Sequence, residues 1–128
     1  MLKQLLTLKK RRERRLRQQM AAGNQRYEQL QHSLQSLNDE RKSLQQDWYQ
    51  LGQEGRGKLA RDRLHVIQRE LEKHFQNDRA LEEEMNSIKA ECEAWIQTKA
   101  ELQQRLQQTR VDQEKLEWII NEDKDAHQ

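Results

Sequence analysis

Residues 52–59 read GQEGRGKL, and this stretch decides between a nucleotide-binding domain and a helical hairpin. Gly52, Gly57 and Lys58 fill the first, sixth and seventh places of the phosphate-binding loop G-x-x-x-x-G-K-[ST]. Leu59 stands where a hydroxyl must ligate Mg²⁺. Such a loop also requires a strand before it and a helix after it, so the flanks decide.

Both flanks are helical in pattern. Apolar residues recur at alternating steps of three and four, the seam of a coiled coil. The first seam runs Leu2, Leu6, Lys9, Glu13, Leu16, Met20, Gly23, Tyr27, Leu30, Leu34, Leu37, Arg41, Leu44, Trp48 and Leu51. The second runs Ala60, Leu64, Ile67, Leu71, His74, Asp78, Leu81, Met85, Ile88, Cys92, Trp95, Lys99, Leu102, Leu106, Thr109, Gln113, Leu116 and Ile120. The two are out of phase, and no three- or four-residue insertion reconciles them. The break falls on Gly52, Gly55 and Gly57, residues that tolerate a left-handed turn and disfavour a helix interior. GQEGRGKL therefore reads as a turn, and nucleotide binding is not expected. The predicted architecture is all-α, with two long helices forming one antiparallel coiled-coil hairpin. Its first arm covers about 1–51, its turn about 52–58, and its second arm about 59–128 with an acidic tail.

Composition agrees. The 128-residue chain is 33% hydrophobic and 36% charged and contains no proline, poorer in apolar residues than ordinary globular domains. Ala, Glu, Lys, Leu and Arg supply half of it, the signature of long helices when a heptad accompanies it. Arms of this length would extend about 75 Å and about 105 Å. Two registers satisfy the seam. One centres the turn on the glycines and is preferred for that reason; it sets Leu44 near Ile67, Leu30 near Leu81, Leu16 near Trp95 and Glu13 against Lys99. The other, one heptad along, pairs Arg41 with Asp78 and Gly23 with Trp95.

Charge is lopsided although the net is only +2. Residues 1–20 hold eight Lys/Arg and one acid, whereas 111–128 hold six acids and two lysines. The lone Cys92 excludes an internal disulfide and fits a reducing compartment. No apolar run suffices to span a membrane and no signal-peptide pattern opens the chain, so a cytoplasmic protein without membrane insertion is expected. The histidines His32, His65, His74 and His127 make no metal-binding spacing, and no nucleophile–base constellation is present. No catalysis, metal or cofactor is expected. His74, Cys92, Trp48 and Trp95 fall on seam slots and read first as core; Tyr49 and Trp118 fall off the seam and read as contact residues.

The run LKKRRERRLR ahead of Leu30, Leu37, Leu44 and Leu51 resembles a basic-zipper DNA reader in outline. Residues 15–26, RLRQQMAAGNQR, lack the zipper signature, Gly23 interrupts the helix, and the second arm would go unexplained. Nucleic acid is not an expected partner. A parallel homodimeric scaffold or tether is the remaining alternative, and the phase break argues against it.

The opening Leu5-x-x-Leu8-Lys9-x-x-Arg12-x-x-Arg15 and the ending Glu114-Lys115-Leu116-Glu117 with Asn121-Glu122-Asp123 and Asp125 carry a resemblance. In a small proline-free hairpin they resemble the central stalk proteins of type III secretion systems, the YscO group, related to flagellar FliJ. The turn glycines and the tryptophans are not part of that pattern. The resemblance implies a hairpin similar to the gamma subunit of rotary ATP synthases, with its paired termini in the pore of a hexameric secretion ATPase. It implies that the turn reaches the cytosolic ring of the export gate, and that secretion chaperones are further partners. On this reading Leu5, Leu8, Lys9, Arg12, Arg15, Glu117 and Trp118 contact the ATPase. Trp48, Tyr49, Gly52, Gly55, Arg56, Gly57 and Lys58 face the gate.

Overall fold

The computed structural model describes residues 1–54 and 61–126. They form helix α1, Leu2–Glu54 (53 residues), and helix α2, Arg61–Ala126 (66 residues). The fold is all-α, and the two helices pack against each other as an antiparallel hairpin. Strong helix formers without proline allow such lengths, far above the roughly 11–12 residues of an average globular helix. Helix α1 continues through Gly52, which the turn was expected to include. A Cβ on Gly52 would meet nothing within 4 Å. The roughly 1 kcal/mol that glycine costs a helix is too little to end one of this length. Gly55, Arg56, Gly57 and Lys58, with Leu59 and Ala60, lie outside the described residues. The segment entering GQEGRGKL is helix, whereas a phosphate loop needs a strand there.

The seam is where the spacing puts it. Every seam position from Leu6 to Trp48, and every one from Ile67 to Ile120, is at least partly shielded from solvent. Nearly all residues off the seam are exposed, Asn24, Asn38, Val111 and Asp112 being exceptions. Leu2, Leu51 and Leu64, at the ends of the two seams, are also exposed. Burial is shallow, as expected of a two-stranded coil: no large side chain among the described residues is fully enclosed.

The chain divides into two compact units, Met1–Glu28 with Glu93–Gln128, and Gln29–Cys92. The first is built on Leu16, Leu102 and Leu106, with Met20 and Trp95 against them. The second buries Leu30, Met85 and Cys92, and Gln31 Nε2 donates to Cys92 Sγ at 3.6 Å. In it Trp48 stacks on His74 with ring centroids 5.2 Å apart and planes 20° from parallel.

The register centred on the glycines is not adopted. The two contacts expected of the other register are present: Arg41 donates to both carboxylate oxygens of Asp78 at 2.7 and 3.1 Å, and Trp95 lies against Gly23; but Trp48–His74, Lys9–Asp112 and Gln31–Cys92 set the helices about half a heptad beyond it. A Cβ built on Gly23 would overlap the outer edge of the Trp95 six-membered ring, so the large knob uses the hole that this glycine leaves. Polar seam residues complete the reason. Glu13 faces Arg110 and Gln113, not Lys99. The glycine-centred register would recover Glu13–Lys99 but set Lys9 against Leu102, Asp78 against Leu34 and Arg41 against Leu71. Unpaired charge against leucine outweighs a centred turn. One substitution tests the register: in Gln31→Cys, a short bifunctional thiol reagent should join residue 31 to the native Cys92 within one chain. The glycine-centred register would leave them unlinked.

Three carboxylates in these pairs are held below their ordinary range. A hydrogen bond from Gln113, then Arg17 and Arg110, lowers Glu13. Arg41 lowers Asp78, and Lys9 with Gln108 lowers Asp112. A carboxylate lowered on folding adds stability above its unfolded value, about 4, and loses it as pH falls through the folded value. The midpoint of thermal unfolding should therefore fall as pH drops below about 4. Asp78→Asn should flatten that acid limb while starting from a lower midpoint at pH 7.

Candidate functional site

Large exposed apolar side chains gather at two places. In the terminal unit they are Met1, Leu2, Leu5, Leu8, Trp118 and Ile119, and in the other unit Tyr49, Leu51, Leu64, Val66 and Phe75. Ile96 is the one remaining case among the described residues. Lone exposed leucines are ordinary, but clusters of them are where partners bind.

At the terminal end the helix period carries the expected contact residues unevenly. Leu5 is 43% exposed and Leu8 58%, and Arg12 and Arg15 are exposed on the same stripe of α1. This stripe flanks the seam, so apolar and cationic groups stand side by side facing solvent. Lys9 does not join it. Its ammonium turns inward to Asp112 Oδ2 at 3.0 Å, because position 9 is a seam slot whose charge must be compensated. Glu117 is exposed, and Trp118, two residues past the buried Leu116, is 65% exposed on the outward side of α2. Ile119, 42% exposed, was not expected here, although its apolar character at an off-seam position is the same signal that singles out Trp118.

In the second unit the expected turn-facing residues separate. Tyr49 is 66% exposed, its hydroxyl accepting from Gln53 at 2.9 Å. Trp48 is committed to the seam through its stack on His74. Gly52 lies in α1, and the other four fall outside the described residues. Phe75, 63% exposed, lies beside Leu71 in a groove of about 630 Å³ along α2, edged by Glu72, Arg79 and Glu82. Phe75 sits one place past seam residue His74, and an aromatic there was legible in the sequence as another contact residue.

Among the described residues no three His, Cys, Asp or Glu side chains come together as metal ligands, and no helix is long and apolar enough to cross a membrane. The chemistry displayed is that of protein surfaces: apolar stripes edged by charge at both places. Comparison with models of known families, with curated proteins and with solved structures finds no match for this chain.

Proposed function

We propose that this chain is the non-enzymatic central stalk of a bacterial type III secretion system. It works at the cytosolic face of the apparatus, its paired helix ends inserted in the hexameric secretion ATPase. The observation that carries the reading is the division of labour along the first turns of α1. Leu6, Lys9 and Glu13 turn into the seam, while Leu5, Leu8, Arg12 and Arg15 of the family-like pattern stay exposed. A hairpin has no structural use for leucines there, and an enclosing protein ring has. The mixed charge, basic on α1 and acidic on α2, gives steering and exchangeable contacts to surrounding subunits. The second exposed group, Tyr49, Leu51 and Phe75, serves the export-gate ring and secretion chaperones.

The reading is tested by adding the purified chain to a hexameric type III secretion ATPase and following phosphate release. The expected result is a saturable stimulation that weakens as salt rises. Hydrolysis unchanged at every concentration of chain contradicts the proposal.

A further inference from the structure

Six seam layers in the terminal unit alternate in character. Leu2 and Leu6 of α1 stand level with Ile120 and Leu116 of α2, and Leu16 and Met20 with Leu106 and Leu102. Between them lie two consecutive layers with no apolar member: Lys9 and Glu13 on α1, Gln113 and Thr109 on α2. Their cross-helix contacts are polar, and Thr109 is packed in at 4% exposure. Lys9 Nζ reaches Asp112 at 3.0 Å, Gln113 Nε2 donates to Glu13 Oε2 at 2.8 Å and more weakly to the Lys9 carbonyl at 3.4 Å, and Arg110 Nε approaches Glu13 Oε1 at 3.4 Å. Thr109 turns its hydroxyl back to the Arg105 carbonyl of its own helix at 2.8 Å. Leu116 is buried, yet it stands outside the core of Leu16, Leu102, Leu106, Met20 and Trp95.

We propose that the paired helix ends form a clasp: the apolar layers at Leu2, Leu6, Leu116 and Ile120 open as a unit at the polar layers of Lys9, Glu13, Thr109 and Gln113, and opening offers a partner their apolar interior. Three physical facts support this. Apolar burial is what joins successive layers cooperatively, and two polar layers interrupt it. Ion pairs that solvent still reaches, as at Lys9–Asp112 with side chains 23% and 29% exposed, contribute little and weaken with salt. The last turn of α2 carries Glu122, Asp123 and Asp125 against the single Lys124, the wrong sign for its own helix dipole. Released, Leu6, Leu116 and Ile120 would adjoin the already exposed Leu2, Leu5, Leu8 and Trp118, enlarging the apolar surface. The opening is a property of the free chain; that the secretion ATPase takes the opened surface rests on the function proposed above.

Amide hydrogen exchange of the intact chain, resolved by segment, tests the opening without any partner. Protection of residues 3–8 and 114–120 should be at least about tenfold below that of 16–24 and 98–106, with a step at the polar layers and a larger step in high salt. Filling those layers with Lys9→Leu, Glu13→Leu, Thr109→Leu and Gln113→Leu should raise terminal protection by at least about tenfold and abolish the salt effect. Glu13→Gln with Asp112→Asn, which keeps the layers polar and removes their ion pairs, should speed terminal exchange and leave residues 16–24 unchanged. A smooth gradient of fraying insensitive to salt and to both variants overturns the clasp. If exchange behaves as expected but the leucine-filled chain stimulates the ATPase like wild type, the clasp stands and its use by that partner is refuted.

Discussion

Leu106→Ala is expected to lower the midpoint of thermal unfolding by on the order of 10 °C. Leu106 is 8% exposed and packs with Leu16 and Leu102 at the centre of the terminal unit, beside Met20 and Trp95. Removing a buried leucine side chain costs about 2–5 kcal/mol through lost transfer and the cavity left behind, and at this chain length each kcal/mol shifts the midpoint by roughly 3–5 °C. A two-stranded coil can collapse around a gap better than a globular core, so the lower half of that range applies. Leu5→Ala and Leu8→Ala, at positions 43% and 58% exposed, should each change stability by only about 0.5 kcal/mol or less. Circular dichroism melts of the three variants check the contrast. Equal effects at Leu8 and Leu106 would mean that the hairpin buries a different face of α1.

The largest functional effect is expected from the solvent-facing stripe. The variant Leu5→Asp, Leu8→Asp, Arg12→Glu and Arg15→Glu should reduce ATPase stimulation at least tenfold. Exposed contacts are worth about 0–1 kcal/mol each, so four lost together amount to at most about 4 kcal/mol, and about 1.4 kcal/mol already makes tenfold in affinity. Lys9 is left intact, since its pairing with Asp112 makes it part of the scaffold. The helix should persist, because acidic residues are favourable near a helix N-terminus and none of the four lies in the seam. Lys3→Glu with Lys10→Glu and Arg14→Glu, the same charge change off the stripe, should cost much less. Equal losses from the two variants would mean that only net charge matters, and the stripe would have no special role.

The seam was legible except at its ends because apolar spacing is a local property: thirty-three slots with a period near 3.5 leave one face to bury, and among the described residues only Leu2, Leu51 and Leu64 of them stay exposed. Register was not, because it is settled by a few long-range fits. Trp95 uses the hole at Gly23, and Arg41 needs Asp78, while the glycines near the turn suggested a symmetric fold-back that Gly52 does not respect. The contact residues were legible in part. Off-seam Leu5, Leu8, Trp118 and Tyr49 are exposed as their positions dictate, and Phe75 and Ile119 follow the same rule. Lys9 shows the limit of matching a motif alone: the pattern groups it with Arg12 and Arg15, but its seam slot turns it inward. The leucine repeat at Leu30, Leu37 and Leu44 finds shelter against α2 of the same chain, which removes the need for a second zipper strand.

Native mass spectrometry of the chain mixed in excess with the secretion ATPase tests the central claim most directly. A stalk occupying a pore must bind once per ring, however much is added. One chain per ATPase hexamer is the predicted composition, lost in the Leu5, Leu8, Arg12 and Arg15 variant. One chain bound to every ATPase subunit, or no complex with the wild-type chain, would contradict it.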